Sequence, residues 1–319
     1  MATEKKIEVG GQAVIEGVMM RGPEYIATAI RRKDESIEIR KEKFTSVTKN
    51  NKFLGLPIIR GFVSLVEMMI IGIKTLNFSA SRAELDWEEE KDKKKNKSKF
   101  REKSEEVLSY IFAFGLAFLL FAFLPYQIAG WMKLAKENVY FNLFAGSIRI
   151  LFFVLYVWII SKMKDVYRIF EYHGAEHKSV FAYEHKSDLS AKFVQKFSTL
   201  HPRCGTSFIF FVLLISILVF SIVDTVFAYY FGVPTILTRL GYHFLMIPII
   251  SGISYEVLKL SGRNIDHWLV KIMTAPGLAL QRITTQEPDD KQIETAVIAM
   301  KCALELDISQ YDNLTFLNK

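Results

Sequence analysis

The sequence predicts a mainly α-helical, multi-pass transmembrane bundle carrying a small N-terminal β unit, and three observations predict it. Hydrophobic residues make up 50% of the 319 and charged residues 24%, with a mean hydropathy of +0.19, yet the charges are segregated along the chain. Residues 82–106 hold nine basic and nine acidic side chains, whereas 107–160 hold four charges and 205–260 another four. A soluble fold spreads its charges over every amphipathic element, so an ordinary single-core soluble domain is excluded. Four apolar segments also reach the ~20 residues that a membrane-crossing helix needs. Finally, Lys and Arg are rich and poor in alternate connections, as the positive-inside rule requires.

Residues 1–50 read as a small cytoplasmic β-containing unit. Tyr25–Arg31 and Ile37–Lys43 alternate or nearly alternate apolar and polar residues around the turn Lys33-Asp34-Glu35-Ser36. Gly10-Gly11 and Gly17 frame a tight loop ahead of them. The first ten residues are polar, so no cleavable signal peptide is predicted and an internal apolar segment directs insertion. Residues 54–78 are apolar but lie between two basic regions, so a single crossing there would break the alternation. Arg60, Glu67 and Lys74 recur every seven residues and draw one polar stripe on a helix. The segment therefore reads as an interfacial or re-entrant amphipathic helix. The alternative, a fifth span, would need the N-terminal unit outside. Residues 82–106 read as a solvated, near-neutral charged linker, helical or disordered.

Residues 107–260 form the predicted transmembrane domain. Its spans are 107–125, without a charge; Val139–Ile160, with Arg149 alone; 207–231, with Asp224 alone; and 236–260, which carries Arg239, His243, Glu256 and Lys259. Tyr126, Trp131, Tyr140 and Trp158 stand near span ends, where aromatic anchors concentrate. Thirteen basic residues lie up to Lys74 and nine more up to Lys103, two lie in 126–142, eight in 161–206, none in 232–235 and seven from Lys259 onward. That pattern places both termini and the loop 161–206 in the cytoplasm, with the spans in the inner (cytoplasmic) membrane. The tail 261–319 is expected to be cytoplasmic and helical. Within it, 289–304 read as an amphipathic helix with Ile293, Ala296, Val297, Met300 and Leu304 on one face and Pro288-Asp289 at its start. Cys204 and Cys302 give no disulfide framework. The net charge of +7 is explained by cytoplasmic loops, so the expected partner is the lipid bilayer and not nucleic acid.

The chemistry concentrates in Glu171-Tyr172-His173-Gly174-Ala175-Glu176-His177-Lys178. On a helix, His173 and His177 lie one turn apart on one face, so both imidazoles can reach one divalent metal, with zinc the expected ion. Glu176 lies close enough round the helix to take a proton from water as general base, which makes it the candidate catalytic residue. The order His-x-x-Glu-His is that of the inverted zincins. Packing histidines on a helix would look the same. Gly174 lowers helix propensity but permits close approach of another element. A catalytic zinc needs a third ligand, and the candidates, in order, are Glu256, His201 and Cys204. Glu256 comes first by analogy with the downstream glutamate of inverted zincins. Glu16, Arg21, Glu171 and Arg203 are candidates to support these ligands, and Arg21 is the expected ion-pair partner of Glu16. Asp224, Arg239 and His243 stand toward the far ends of their spans, where helix–helix polar contacts account for them.

At these residues the chain resembles the YqhQ-like family of bacterial multi-pass membrane proteins. The resemblance is carried by GGQAVIEGVMMRGP at 10–23, EYHGAEHK at 171–178, HPRCGTSF at 201–208, SGISYEVLK at 251–259 and PGLALQRITTQEP at 276–288. It implies a metal-dependent enzyme, of a function not characterised for the family. The two-lobed architecture of true inverted zincins is missing, so a peptidase activity does not carry over. The reading is a divalent-metal hydrolase at the cytoplasmic membrane surface, acting on a lipid or membrane-associated substrate. The alternatives are a membrane scaffold or regulator with a structural metal, and a transporter, for which ionisable residues are few and internal repeats absent.

Overall fold

The computed structural model describes residues 9–90, 99–132, 139–264 and 267–317. Four strands form an antiparallel meander: β1 (Gly10–Val14), β2 (Gly17–Arg21), β3 (Tyr25–Arg31) and β4 (Ile37–Lys43). The stretch read as a glycine-framed loop is thus a hairpin, with Val14 paired to Gly17 across a two-residue turn. Its turn residue Glu16 adopts a left-handed backbone, φ 54°, in place of the Asn-Gly signal that marks such turns in a sequence. β3 and β4 have the bounds read from the sequence, and they pair from Arg31 opposite Ile37 to Tyr25 opposite Lys43.

After the short α1 (Val47–Asn50), α2 runs from Ile59–Glu90. It begins later than expected and continues through the first part of the stretch read as a solvated linker. The reason is electrostatic. Arg82 and Asp86, one turn apart on α2, pair with Glu38 and Arg32 of the sheet at 2.5 Å each. Residues 91–98, the middle of that stretch, lie outside the described residues. α3 (Lys99–Phe118) continues through a π-turn at Leu119–Phe123 into α4 (Leu124–Trp131). There follow α5 (Val139–Ile160), α6 (Lys164–Glu184), α7 (Ala191–Val194), α8 (Gly205–Phe231) and α9 (Ile236–Arg263). The chain ends with α10 (Trp268–Thr284), α11 (Asp290–Ala303) and β5 (Leu314–Phe316), which pairs parallel to β4.

Four of these helices are long and apolar enough to cross a membrane: Val107–Trp131, Val139–Ile160, Gly205–Phe231 and Ile236–Gly262. They match the four expected spans, and α2 is not among them. The protein is a membrane protein. Its helices bury little against one another and leave Phe112, Phe114, Leu155, Leu218 and Phe244 exposed on the outside of the bundle, the side chains a bilayer would solvate.

The polar part closes on one core drawn from three distant stretches. Val18, Met20, Ala27, Ala29, Ile37 and Ile39 of the sheet pack against Tyr172, Ala175 and Val180 of α6 and against α11. Of the expected apolar face of α11, Ile293, Ala296, Val297 and Met300 are fully buried, and Leu304, at the C-cap, is half-buried. Asp289 caps that helix in a reciprocal arrangement with Gln292, satisfying two N-terminal donors at once. The other face of the sheet meets α2, where Gln12 bonds the Gly72 carbonyl and Thr75, and Ser79 receives the Ile15 N–H. The near end of α2 rests on α9. A Cβ on Gly61 would lie 2.8 Å from the Tyr255 side chain and 3.0 Å from Gly252, so bare backbones make this crossing. α2 thus ties the sheet to the bundle.

Candidate metal centre

The site assembles where α6 meets the start of α8 and the end of α10. Among the described residues, His173, His177 and Cys204 form the one group of three ligand-bearing side chains, their ligand atoms all within 4.8 Å of one another. His173 Nε2 stands 3.2 Å from Cys204 Sγ, and the two imidazole centroids are 4.4 Å apart. Cys204 is the N-cap of α8, and its sulfur accepts the Thr206 N–H at 3.4 Å and the Thr206 hydroxyl at 3.3 Å.

Backbone carbonyls set the histidine tautomers. His173 Nδ1 faces the Thr284 carbonyl at 2.7 Å, and His177 Nδ1 faces the Thr199 carbonyl. A carbonyl only accepts, so Nδ1 carries the proton in both rings and Nε2 presents a bare lone pair. His177 Nε2 is buried without a hydrogen-bond partner among the described residues. Orientation of a ring through Nδ1–H to a carbonyl is how proteins aim metal-binding imidazoles. A tetrahedral N₂S set places its donor atoms about 3.5 Å apart. Two imidazole nitrogens and a thiol sulfur are donors of the kind zinc takes, and here they stand within 4.8 Å of one another.

His201 is built the other way round. Its Nδ1 accepts the Arg203 N–H at 3.2 Å, so the ring proton sits on Nε2, 3.5 Å from Glu184. Its ring lies tilted against that of Phe181, centroids 4.4 Å apart, and 5.7 Å from the His177 ring. Glu256, the first-ranked candidate for the third ligand, stands apart from this group. Arg60 of α2 holds its carboxylate with two hydrogen bonds, at 2.7 and 2.5 Å, and it is not part of the cluster. A bidentate guanidinium occupies both carboxylate oxygens.

Glu176 is buried beside the cluster, its Oε2 3.5 Å from His177 Nε2, and it takes a hydrogen bond from the Gly11 N–H of β1. Burial raises its carboxyl above the usual carboxylate range. Burial also holds the imidazoles of His177 and His201 below the ordinary histidine value. Of the supporting candidates, Glu16 pairs not with Arg21 but with Arg168 of α6, through Nε and, at 2.6 Å, Nη2. Arg21 sits at the far end of β2, its guanidinium over the Phe44 ring. Glu171 receives Gln292 Nε2 of α11 at 2.9 Å, and Arg203 pairs with Glu184. Glu16, Glu171 and Arg203 thereby fasten elements around the site.

Three contributors escaped the sequence reading. The Thr199 and Thr284 carbonyls orient the histidines. Fully buried Gln281 clamps the turn before Cys204, accepting the His201 N–H at 2.7 Å and donating to the His201 carbonyl at 2.8 Å. Backbone acceptors carry no residue-type signal, and a glutamine in an amphipathic helix reads as surface.

The pKa directions give a testable pH dependence. Folded, His177 and His201 stay neutral where the unfolded chain protonates them, below about pH 6.5, so each withdraws stability as pH falls. Glu176 opposes this, because its folded carboxyl keeps a proton that the unfolded chain has lost, and its contribution fades as pH rises. With two imidazoles against one carboxyl, the metal-free protein is expected to unfold at lower temperature at pH 5.5 than at 7.5. His201→Asn should narrow the gap. Thermal unfolding in detergent with a chelator checks this, and an unchanged gap in the variant would refute the assignment.

Residues 56–306 match a family model described as "Protein of unknown function (DUF1385)". The chain is 34% identical over 315 residues to "Uncharacterized protein YqhQ" of Bacillus subtilis (strain 168), covering 95% of this chain and 94% of that protein. No solved structure matches. The chain belongs to the DUF1385 family of proteins of unknown function.

Proposed function

We propose that the chain is a divalent-metal hydrolase, with zinc the expected ion, acting on a lipid or membrane-associated substrate at the cytoplasmic face of the inner membrane. The observation that carries this reading is the convergence of His173 Nε2, His177 Nε2 and Cys204 Sγ beside buried Glu176. His173, His177 and Cys204 would hold the ion, and three protein donors are the number a catalytic rather than a closed structural zinc site takes. When bound, the ion supplies a Lewis acid that makes water nucleophilic near neutral pH. Glu176, buried beside these donors, would serve as the general base toward water in the site. Its raised pKa brings its basicity toward working pH, where a general base is most effective. The Gly11 N–H holds the carboxylate in position, and the Thr199 and Thr284 carbonyls keep the imidazoles aimed. Cys204 opens α8, so the site lies at the end of a span, next to lipid head groups.

Glu176→Gln is expected to keep its metal and to lose roughly 10²–10⁴-fold in turnover of fluorogenic phospholipid and membrane-peptide substrates in micelles. A metal-loaded variant with full turnover would overturn the general-base role. The burial of the cluster favours one second reading, a structural metal in a scaffold or regulator. It would need a fourth protein donor, for which His201, its ring 5.7 Å from that of His177, is the candidate. Retained metal stoichiometry in His201→Asn speaks for the open, catalytic site.

A further inference from the structure

The bundle carries a second polar cluster, remote from the first. Twenty residues along α8 from Cys204, about 30 Å at helical rise, Asp224 is 1% exposed. Three side chains of α9 close on it: Tyr242 by its hydroxyl, His243 Nε2 at 2.9 Å and Arg239 Nη2 at 2.8 Å. Beside them lies a cavity of about 130 Å³, lined by Tyr126, Asn142, Arg149, Phe220, Arg239 and His243 among others.

Arg149 reaches this cavity from the middle of α5. Its Nε donates to the Phe121 carbonyl at 2.7 Å. Phe121 lies in the π-turn Leu119–Phe123, a local break in helical hydrogen bonding of the kind that recurs at functional sites. One nitrogen of the guanidinium is thereby anchored. The two terminal nitrogens find no partner among the described residues, and no described carboxylate pairs with Arg149. Two guanidinium groups therefore face the cavity against one carboxylate, which Arg239 already engages.

A charged side chain inside a span is costly unless it pairs or serves a site. The open fork of Arg149 matches the geometry of a carboxylate or phosphate. The remaining wall is aromatic and aliphatic, and its rim residues Phe118, Phe123 and Leu240 are exposed on the outside of the bundle. The cavity thus opens sideways, toward lipid. We propose that it binds an anionic membrane amphiphile, its carboxylate or phosphate head on the Arg149 fork and its chain leaving past the rim. This site is independent of the metal reading.

Native mass spectrometry of the full chain in neutral detergent tests it, with phosphatidic acid, oleate, phosphatidylethanolamine and inorganic phosphate as separate probes. Expected is one phosphatidic acid or oleate per chain, bound at least tenfold more tightly than phosphatidylethanolamine, with inorganic phosphate failing to compete. Arg149→Gln should weaken the anionic amphiphile at least tenfold. Equal retention of the zwitterionic lipid, or an adduct unchanged in Arg149→Gln, would mean annular lipid only and overturn the proposal. Binding of inorganic phosphate as tight as that of the amphiphiles would overturn the role of the apolar wall. If Arg149→Gln does not fold, Ala145→Phe, which fills the cavity with Arg149 in place, is expected to lose the adduct, and its retention there overturns the proposal.

Discussion

Gly174→Ala is expected to destabilise the polar core by about 3 kcal/mol or more, the scale of overpacking into backbone that cannot retreat. A Cβ at this position would stand 2.0 Å from the Gln286 carbonyl oxygen and 3.3 Å from Pro288 Cδ. The strand of chain at 286 is pinned there, because the Gln286 N–H donates to the Phe170 carbonyl at 2.9 Å. Two residues upstream, Thr284 orients His173. The substitution therefore pushes apart α6 and the entry to α11 and withdraws the acceptor that sets the His173 tautomer. Thermal unfolding in detergent measures it, with Gly115→Ala as control, since nothing lies within 4 Å of a Cβ there. A Gly174→Ala protein as stable as the control would contradict this packing.

Glu38→Ala is expected to cost about 2–4 kcal/mol, toward the range for breaking a buried ion pair but reduced for partial solvent screening. Glu38 is 7% exposed and accepts Arg32 at 2.6 Å and Arg82 at 2.5 and 2.9 Å. Removing it strands Arg82, while Arg32 keeps Asp86. The far half of α2 should then separate from the sheet, so hydrogen exchange should rise over 75–86 and stay unchanged over 293–300. Equal exchange in both segments would mean that the network does not hold α2.

What the sequence made legible follows from the range of the interactions. The four spans need only local hydropathy, and they emerged within a few residues of their ends. α11 and the β3–β4 hairpin likewise declare themselves through periodicity and turn chemistry. β5 could not be read, because three residues pair with β4 through contacts nearly 280 positions apart, such as Ile37 with Leu314. The β1–β2 hairpin was hidden by glycines that usually mark loops, and by a glutamate in the left-handed turn position, which Arg168 secures from another element.

The candidate site was legible in the same proportion. His173, Glu176 and His177 share one helix face and came from spacing alone. Gly174 was expected to admit a neighbour, and Gln286 is that neighbour. The placement of Glu256 apart from the cluster was not legible, because its partner, Arg60, lies 196 residues away on a helix whose placement no local pattern gives. Separating Cys204 from His201 needed the backbone, since the Arg203 N–H decides which nitrogen of His201 is free.

The most direct test of the central reading is metal content by mass spectrometry of detergent-purified protein after zinc loading. About one divalent ion per chain is expected in the wild type and in Glu256→Gln, and loss of the ion in Cys204→Ser and in His173→Ala/His177→Ala. Absence of metal in the wild type, or an ion kept in Cys204→Ser and lost in Glu256→Gln, would contradict it.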